Sequence, residues 1–143
     1  MYSPNKIALI GTEGVGKTSI LERYKENSGN YQIEVAETPD KWAESKYGIV
    51  VFDTTNTQDL EQLHKSIKQF KKVAGDVPIV ICANKVDMFT HDARNNSKEY
   101  MKMYTKFLAL TIKYNCQGVM VSAKINYNID ELFALAMKQL YLR

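Results

Sequence analysis

The segment that most constrains this chain is the glycine-rich octapeptide Gly11-Thr12-Glu13-Gly14-Val15-Gly16-Lys17-Thr18. It stands directly after the apolar run 6–10 and directly before a stretch of helical character that begins at Ser19. The pattern Gly-x4-Gly-Lys-Ser/Thr between a strand and a helix predicts a loop that binds phosphate. Its glycines allow positive φ angles and a close approach of backbone N–H groups to an anion. The positive end of the following helix favours the same anion.

This loop supplies the first candidate site residues. Lys17 is expected to bring its charge to the β and γ phosphates of a nucleoside triphosphate, and the Thr18 hydroxyl is expected to bind Mg²⁺. Lys17 and Thr18 are therefore the candidate catalytic residues. The candidate cofactor-binding residues are the whole of 11–18 together with Ser19, which either caps the turn or is simply helical.

Composition indicates one domain in a reducing compartment. A chain of 143 residues with 45% hydrophobic content can bury one core, so we expect a single domain over residues 1–143. The formal net charge of +3 is mild, and we expect no nucleic-acid partner. Cys82 lies in an apolar run and Cys116 follows a helix, which indicates reduced thiols and a soluble, cytoplasmic protein. We therefore expect no signal peptide, membrane span or lipid anchor.

Strand and helix patterns alternate along the chain. The strand candidates are residues 6–10, 31–36, 47–53, 77–83 and 118–122. After the first helix, the helix candidates are residues 58–74, residues 97–115 behind an Asn96–Glu99 capping box, and a segment that starts at Asn128. We expect their buried stripes to be formed by Leu60, Leu63, Ile67, Phe70 and Val73; by Tyr100, Tyr104, Phe107, Leu108 and Thr111; and by Leu132, Phe133, Ala136 and Leu140. Apolar strands between helices predict an α/β fold, a three-layer sandwich in which helices cover both faces of a mostly parallel, five-stranded sheet.

Two further motifs fall where strands of such a sheet end, Asn84-Lys85-Val86-Asp87 and Ser122-Ala123-Lys124. Ligands of open parallel sheets bind beyond the carboxyl ends of the strands. Because the phosphate loop also follows a strand, we expect the three segments to converge on one pocket.

Together the three segments resemble those of the Ras-like small GTPases of the P-loop superfamily. Phe52-Asp53-Thr54-Thr55-Asn56 is similar to a strand-end sequence of the Rab branch. The resemblance covers nearly the whole chain, and it implies that the protein binds GDP and GTP with Mg²⁺.

The resemblance also implies a role for each residue of the two later motifs. Asp87 would accept hydrogen bonds from guanine N1 and N2, Asn84 would contact N7, and the Lys85 stem would cover the base. The Ala123 N–H would donate to O6, and the loop would be supported by Ser122 and Lys124. Adenine would leave the Asp87 carboxylate without donors, so guanine is the expected base.

The chain departs from the family between its first helix and the third predicted strand, where the connection is too short for two switches and two strands. One strand must be missing. The best match to the second switch is Glu37-Thr38-Pro39-Asp40, with Glu37 in place of the metal-holding aspartate and Asp40 in place of a glycine. Lys41 stands where the family's glutamine orients the attacking water. We expect Glu37 to serve as a metal ligand and Glu13 to crowd the γ phosphate.

Two aromatic residues near this region have open roles. Tyr31 either packs in the core, which its strand pattern favours, or stacks on guanine. Trp42 either packs or anchors a partner. The sheet edge left by the missing strand is a candidate homodimer surface, and the sequence does not identify effector or regulator proteins.

Three functional hypotheses follow. The favoured one is a compact GTPase that hydrolyses GTP slowly. The second is a guanine-nucleotide-binding interaction protein without a switch, in which nucleotide stabilises the fold. The third is a small P-loop kinase, which is the least supported because arginine is limited to Arg23, Arg94 and Arg143.

Overall fold

A computed structural model describes residues 5–28, 33–56, 60–89 and 97–141. Within them lies one five-stranded sheet in the order β2-β1-β3-β4-β5, with β1 Lys6–Ile10, β2 Glu34–Ala36, β3 Tyr47–Asp53, β4 Ile79–Asn84 and β5 Gln117–Met120. Each neighbouring pair is parallel. The predicted α/β sandwich and its five strands are confirmed, and the sheet is wholly parallel.

Four α-helices cover the sheet within the described residues: α1 Lys17–Ser28, α2 Leu60–Ala74, α3 Lys98–Lys113 and α4 Ile129–Tyr141. α1 and α4 pack on one face, where the Tyr24 and Phe133 rings stack with centroids 3.9 Å apart. α2 and α3 pack on the other face through Phe70 and Phe107. β3 is buried at every position except its last, as expected for a central strand covered on both sides.

The helix predictions need three corrections. Val73 is 44% exposed and Leu108 is 41% exposed, so neither belongs to the core stripe assigned to it. The buried residues of α3 are Met103, Phe107 and Leu110, and Leu108 lies about 100° from Phe107 around the helix. The cap of α3 is Ser97, whose side chain accepts a hydrogen bond from the Tyr100 N–H at 3.2 Å.

The strand and helix boundaries also differ from prediction at several ends. β4 begins two residues later than expected, and β5 covers Gln117–Met120 rather than 118–122. α2 is described from Leu60. Tyr31, Asn96 and the polar segment 90–96 lie outside the described residues.

The segment after β2 is folded onto the core. A short 3₁₀ helix, Pro39–Lys41, leads into Trp42, which is 3% exposed. The Trp42 ring packs edge-on against Phe70 at a centroid distance of 5.6 Å. Of the two roles left open for Trp42, the structure supports packing.

None of the helices in the described residues combines the length and the apolar character that a membrane span needs.

Candidate functional site

The phosphate loop occupies the turn between β1 and α1. Gly16 has a φ of +97°, and a Cβ there would collide with the Asn84 side-chain amide. A Cβ on Gly11 would lie 2.6 Å from the Val51 carbonyl oxygen. The loop therefore requires glycine at both positions because its backbone is pressed against β3 and β4.

Lys17 extends along this loop. Its Nζ donates to the Gly11 carbonyl oxygen at 2.6 Å. Partial burial lowers the pKa of Lys17, and the carboxylates of Glu37 and Glu13 oppose that shift. Both carboxylates thus act electrostatically on the Lys17 ammonium group.

Few metal-binding groups surround the loop. The Thr18 and Glu37 side chains are exposed and offer two oxygen donors near Lys17. The described residues hold no group of three or more His, Cys, Asp or Glu side chains arranged to bind a metal ion. Mg²⁺ is commonly bound through one or two protein oxygens with phosphate and water completing its shell, so two oxygen donors are compatible with that ion.

Asn84 joins the three loops. Its Nδ2 donates to the Val15 carbonyl oxygen at 2.8 Å, and its Oδ1 accepts the Ala123 N–H at 3.3 Å. The residue is 2% exposed and is the last position of β4. One side chain thus connects the phosphate loop, the second motif and the third.

Asp87 and Ser122 form the opposite end of the site. The Ser122 hydroxyl donates to Asp87 Oδ1 at 2.6 Å and accepts the Ile125 N–H at 3.2 Å. Ser122 is fully buried and Asp87 is half-buried. The hydroxyl therefore fixes the direction of the carboxylate.

A cavity of about 590 Å³ lies at the end of the site that holds Asp87. The predicted site residues that line it are Gly16, Ser19, Asn84, Lys85, Asp87, Ala123 and Lys124, and the other lining residues are Glu22, Arg23, Glu26 and Met88. Lys17 and Thr18 are not among its lining residues. This volume lies within the range typical of small-molecule sites. Thr12, Glu13 and Gly14 instead line a smaller cavity of about 260 Å³ beside the end of β3. The structure thus brings the three predicted segments together, as expected.

Sequence reasoning gave Asp53 no role. Lys85 Nζ donates to Asp53 Oδ2 at 2.9 Å and to the Gly14 carbonyl oxygen at 3.0 Å. Thr55 donates to the other oxygen of Asp53 through its N–H and its hydroxyl. Burial acts to raise the pKa of Asp53, but hydrogen bonds from Thr55 and Lys85 outweigh it and lower the pKa. The signal available in the sequence was the position of Asp53 at the end of β3, directly opposite Asn84.

Sequence reasoning also missed Arg23. Its Nε donates to the Ala123 carbonyl oxygen at 2.7 Å, and its Nη2 donates to the Lys124 carbonyl oxygen at 2.9 Å. Arg23 lines the larger cavity from α1. No sequence signal links residues so far apart in the chain.

The substituted second-switch residues lie at the surface. Asp40 and Lys41 are exposed. A hydrogen bond from the Thr38 side chain is the main cause that lowers the pKa of Asp40.

Comparison with known protein families gives one further finding. The model of the Ras family matches residues 36–142, which is more than half of the chain. The matched range begins after the phosphate loop at 11–18, so the loop and the family match are separate observations.

Proposed function

The chain belongs to the Ras family of small GTP-binding proteins, and from that premise we propose that it binds GDP and GTP with Mg²⁺ and hydrolyses GTP slowly. The observation that carries this proposal is the position of Asn84, whose amide bonds to both the phosphate loop and the Ser122-Ala123-Lys124 segment. A ligand in this cavity would contact all three loops at once.

The groups around Asp87 favour guanine over adenine. Ser122 holds one oxygen of the Asp87 carboxylate, and that carboxylate lines the cavity. Guanine presents two N–H donors to such a group, whereas adenine presents a ring nitrogen that repels it. The Ala123 N–H, which the family resemblance assigns to O6, is directed at Asn84 Oδ1 at 3.3 Å. A bound guanine would share or take over that long hydrogen bond.

The phosphate end supports a cation. Thr18 and Glu37 would hold Mg²⁺ together with phosphate oxygens and water. The ion would neutralise negative charge on the β and γ phosphates. Lys17 would exchange its bond to the Gly11 carbonyl for a phosphate oxygen, which gains a charge-assisted contact.

Hydrolysis of GTP would depend on Lys17 and Thr18. These two residues would stabilise charge on the phosphates and serve as the catalytic residues. Lys41 has no acceptor oxygen with which to orient water, and Glu13 places a carboxylate on the loop that should hold the γ phosphate. We therefore expect a rate at or below the slow intrinsic range of this protein class, on the order of 10⁻⁴ per second.

Two measurements test the proposal. Extraction should recover a guanine nucleotide from the purified protein. Titration of the protein with each nucleotide in the presence of Mg²⁺ should give tighter binding of GDP and GTP than of ATP. Retained ATP without guanine preference would reject the nucleotide assignment. A single-turnover GTP hydrolysis rate equal to the buffer blank would reject the hydrolase alone.

A second candidate function, guanine-nucleotide binding without a switch, is favoured by the packing of Trp42. The segment that should rearrange on GTP binding is instead held against Phe70. Trp42 is the single tryptophan of the chain and reports on this segment directly. Without a switch, Trp42 fluorescence and hydrogen exchange across residues 33–46 should be equal in the GDP and GTP complexes. A clear difference between the two complexes would support the switching GTPase.

A further inference from the structure

Arg23 makes contacts that reach from α1 to the base end of the cavity. Its Nε and Nη2 donate to the carbonyl oxygens of Ala123 and Lys124 at 2.7 and 2.9 Å. The two carbonyls belong to successive peptide groups, and one edge of the planar guanidinium binds both of them. Charge-assisted hydrogen bonds of this length are among the stronger ones in proteins.

The turn held by Arg23 is also fixed by contacts of its own. Ser122 and Tyr127 close it through a pair of backbone hydrogen bonds, at 3.1 and 2.8 Å. Between them, the Asn126 N–H reaches the Ala123 carbonyl oxygen at only 3.4 Å. The Ala123 N–H is also held by Asn84 at 3.3 Å and the Ile125 N–H by the Ser122 hydroxyl at 3.2 Å. Arg23 adds the short contacts to the carbonyl oxygens of residues 123 and 124.

From these contacts we propose that Arg23 is a positioning residue for recognition of the 6-oxo group of guanine. The Ala123 carbonyl and the Lys124 N–H belong to the same peptide group. The Ala123 N–H belongs to the preceding peptide group, together with the Ser122 carbonyl. Polarising the Ala123 carbonyl strengthens the Lys124 N–H as a donor. Arg23 therefore orients the turn toward the purine oxygen and strengthens the Lys124 N–H as a donor, whereas it acts on the Ala123 N–H, which belongs to the Ser122 peptide group, through position alone. The inference rests on the guanine nucleotide binding proposed above.

The 6-oxo side and the 2-amino side of guanine would be recognised by different parts of the site. Ser122 orients Asp87, which would face the N1–H and 2-amino side of a bound guanine. The backbone bridge between Ser122 and Tyr127 does not involve Arg23, so we expect it to persist in Arg23→Ala. Loss of Arg23 should therefore weaken recognition of the 6-oxo group and leave recognition of the 2-amino group unchanged.

The test compares the affinities of three diphosphates for the full chain and its Arg23→Ala variant. GDP carries both groups and IDP lacks the 2-amino group. The diphosphate of 2-aminopurine riboside lacks the 6-oxo group and also the N1 proton, so its contact with Asp87 is weakened equally in the native protein and in the variant. We expect Arg23→Ala to weaken GDP and IDP roughly 10- to 100-fold, the factor typical of hydrogen bonds to charged groups. The dissociation constant of the 2-aminopurine compound should change little. Its ratio to the dissociation constant of GDP should therefore fall in Arg23→Ala, whereas the ratio of the IDP constant to the GDP constant should stay the same.

Two variants make the result specific. Arg23→Lys keeps the charge but cannot span both carbonyls, so it should give an intermediate ratio. Lys25→Ala removes a positive charge from an exposed position of the same helix and should leave all three affinities near the native values. The thermal unfolding of each nucleotide-free variant verifies that it is folded.

The outcomes separate the two proposals. An equal loss for all three nucleotides, or no loss for any, would overturn the role of Arg23. Native protein that binds GDP no better than ADP would overturn the guanine assignment itself, whatever Arg23 does.

Discussion

At the scale of single residues, Asn84 carries the strongest structural link of the site. Substitution Asn84→Ala would leave the Val15 carbonyl without its donor and the Ala123 N–H without its acceptor, both in a buried place. We expect the free energy of unfolding of the nucleotide-free protein to fall by about 1–3 kcal/mol, and GDP binding to weaken. Urea denaturation and GDP titration measure the two effects.

A matched amide control is available on the surface. Asn27 makes three solvent-exposed side-chain hydrogen bonds, two with Asn126 and one in which its Nδ2 donates to Asp130 Oδ1 at 2.9 Å. Asn27→Ala should therefore change the free energy of unfolding by less than about 0.5 kcal/mol. Equal losses for Asn84→Ala and Asn27→Ala would contradict the bridging role of Asn84.

The Asp53–Lys85 contact predicts a pH dependence. The unfolded-state pKa of an aspartate is about 3.9. Because the folded-state pKa of Asp53 is lowered, its ionised form stabilises the folded protein above that pH. That contribution is lost as the pH falls from there through the folded pKa. The native protein should therefore be more stable than Asp53→Asn at pH 6, and the difference should shrink below about pH 4. Parallel urea titrations measure it, and a difference that is constant down to pH 3 would refute it.

At the scale of elements, the start of α3 depends on Ser97. Its side chain satisfies the Tyr100 N–H, one of the backbone donors that a helix leaves without a partner in its first turn. Ser97→Ala should lower the free energy of unfolding by about 1 kcal/mol, whereas Ser97→Asp should retain it because aspartate also caps well. Chemical denaturation of both variants is the measurement, and equal stabilities would contradict the cap.

The elements also show which parts of the structure the sequence could predict. β1, β3 and the phosphate loop were predictable because apolar runs and the glycine–lysine pattern are local signals. The α3 cap was predicted one residue early, since Asn96 and Ser97 are both good caps and the Glu99 spacing favoured the wrong one. Leu108 was assigned to the core because an apolar residue at the margin of a helical stripe gives the same sequence pattern as a buried one.

Within the candidate site, the limit of prediction was sequence distance. Asp87 and Ser122 could be assigned to one pocket because both follow strands of a parallel sheet. The hydrogen bonds of Arg23 could not be predicted, because they depend on the distance between α1 and the turn after β5. That distance is set by packing of the whole α1–α4 face, including the stacked Tyr24 and Phe133 rings.

At the scale of the whole molecule, the parallel sheet separates two ends. The three site loops lie beyond the carboxyl ends of β1, β4 and β5. A second cavity of about 590 Å³ lies at the other end, where it is lined by Tyr47, Val77, Pro78, Tyr114, Cys116 and Gln117. A nucleotide bound by the three loops contacts only the carboxyl end, so its local effects should be confined there.

Hydrogen exchange tests this separation. At GDP about 100 times the dissociation constant, mass action should stabilise the fold by about 2.7 kcal/mol. Amides that exchange by local opening should slow together in 11–16, 84–88 and 122–125, because Asn84 couples these loops to one another. Local exchange in 75–78 and 114–117 should be unchanged, since those residues lie at the other end of the sheet. Protection of 11–16 without the other two loops would mean that the phosphates bind while the base does not engage Asp87 and the Arg23-held turn.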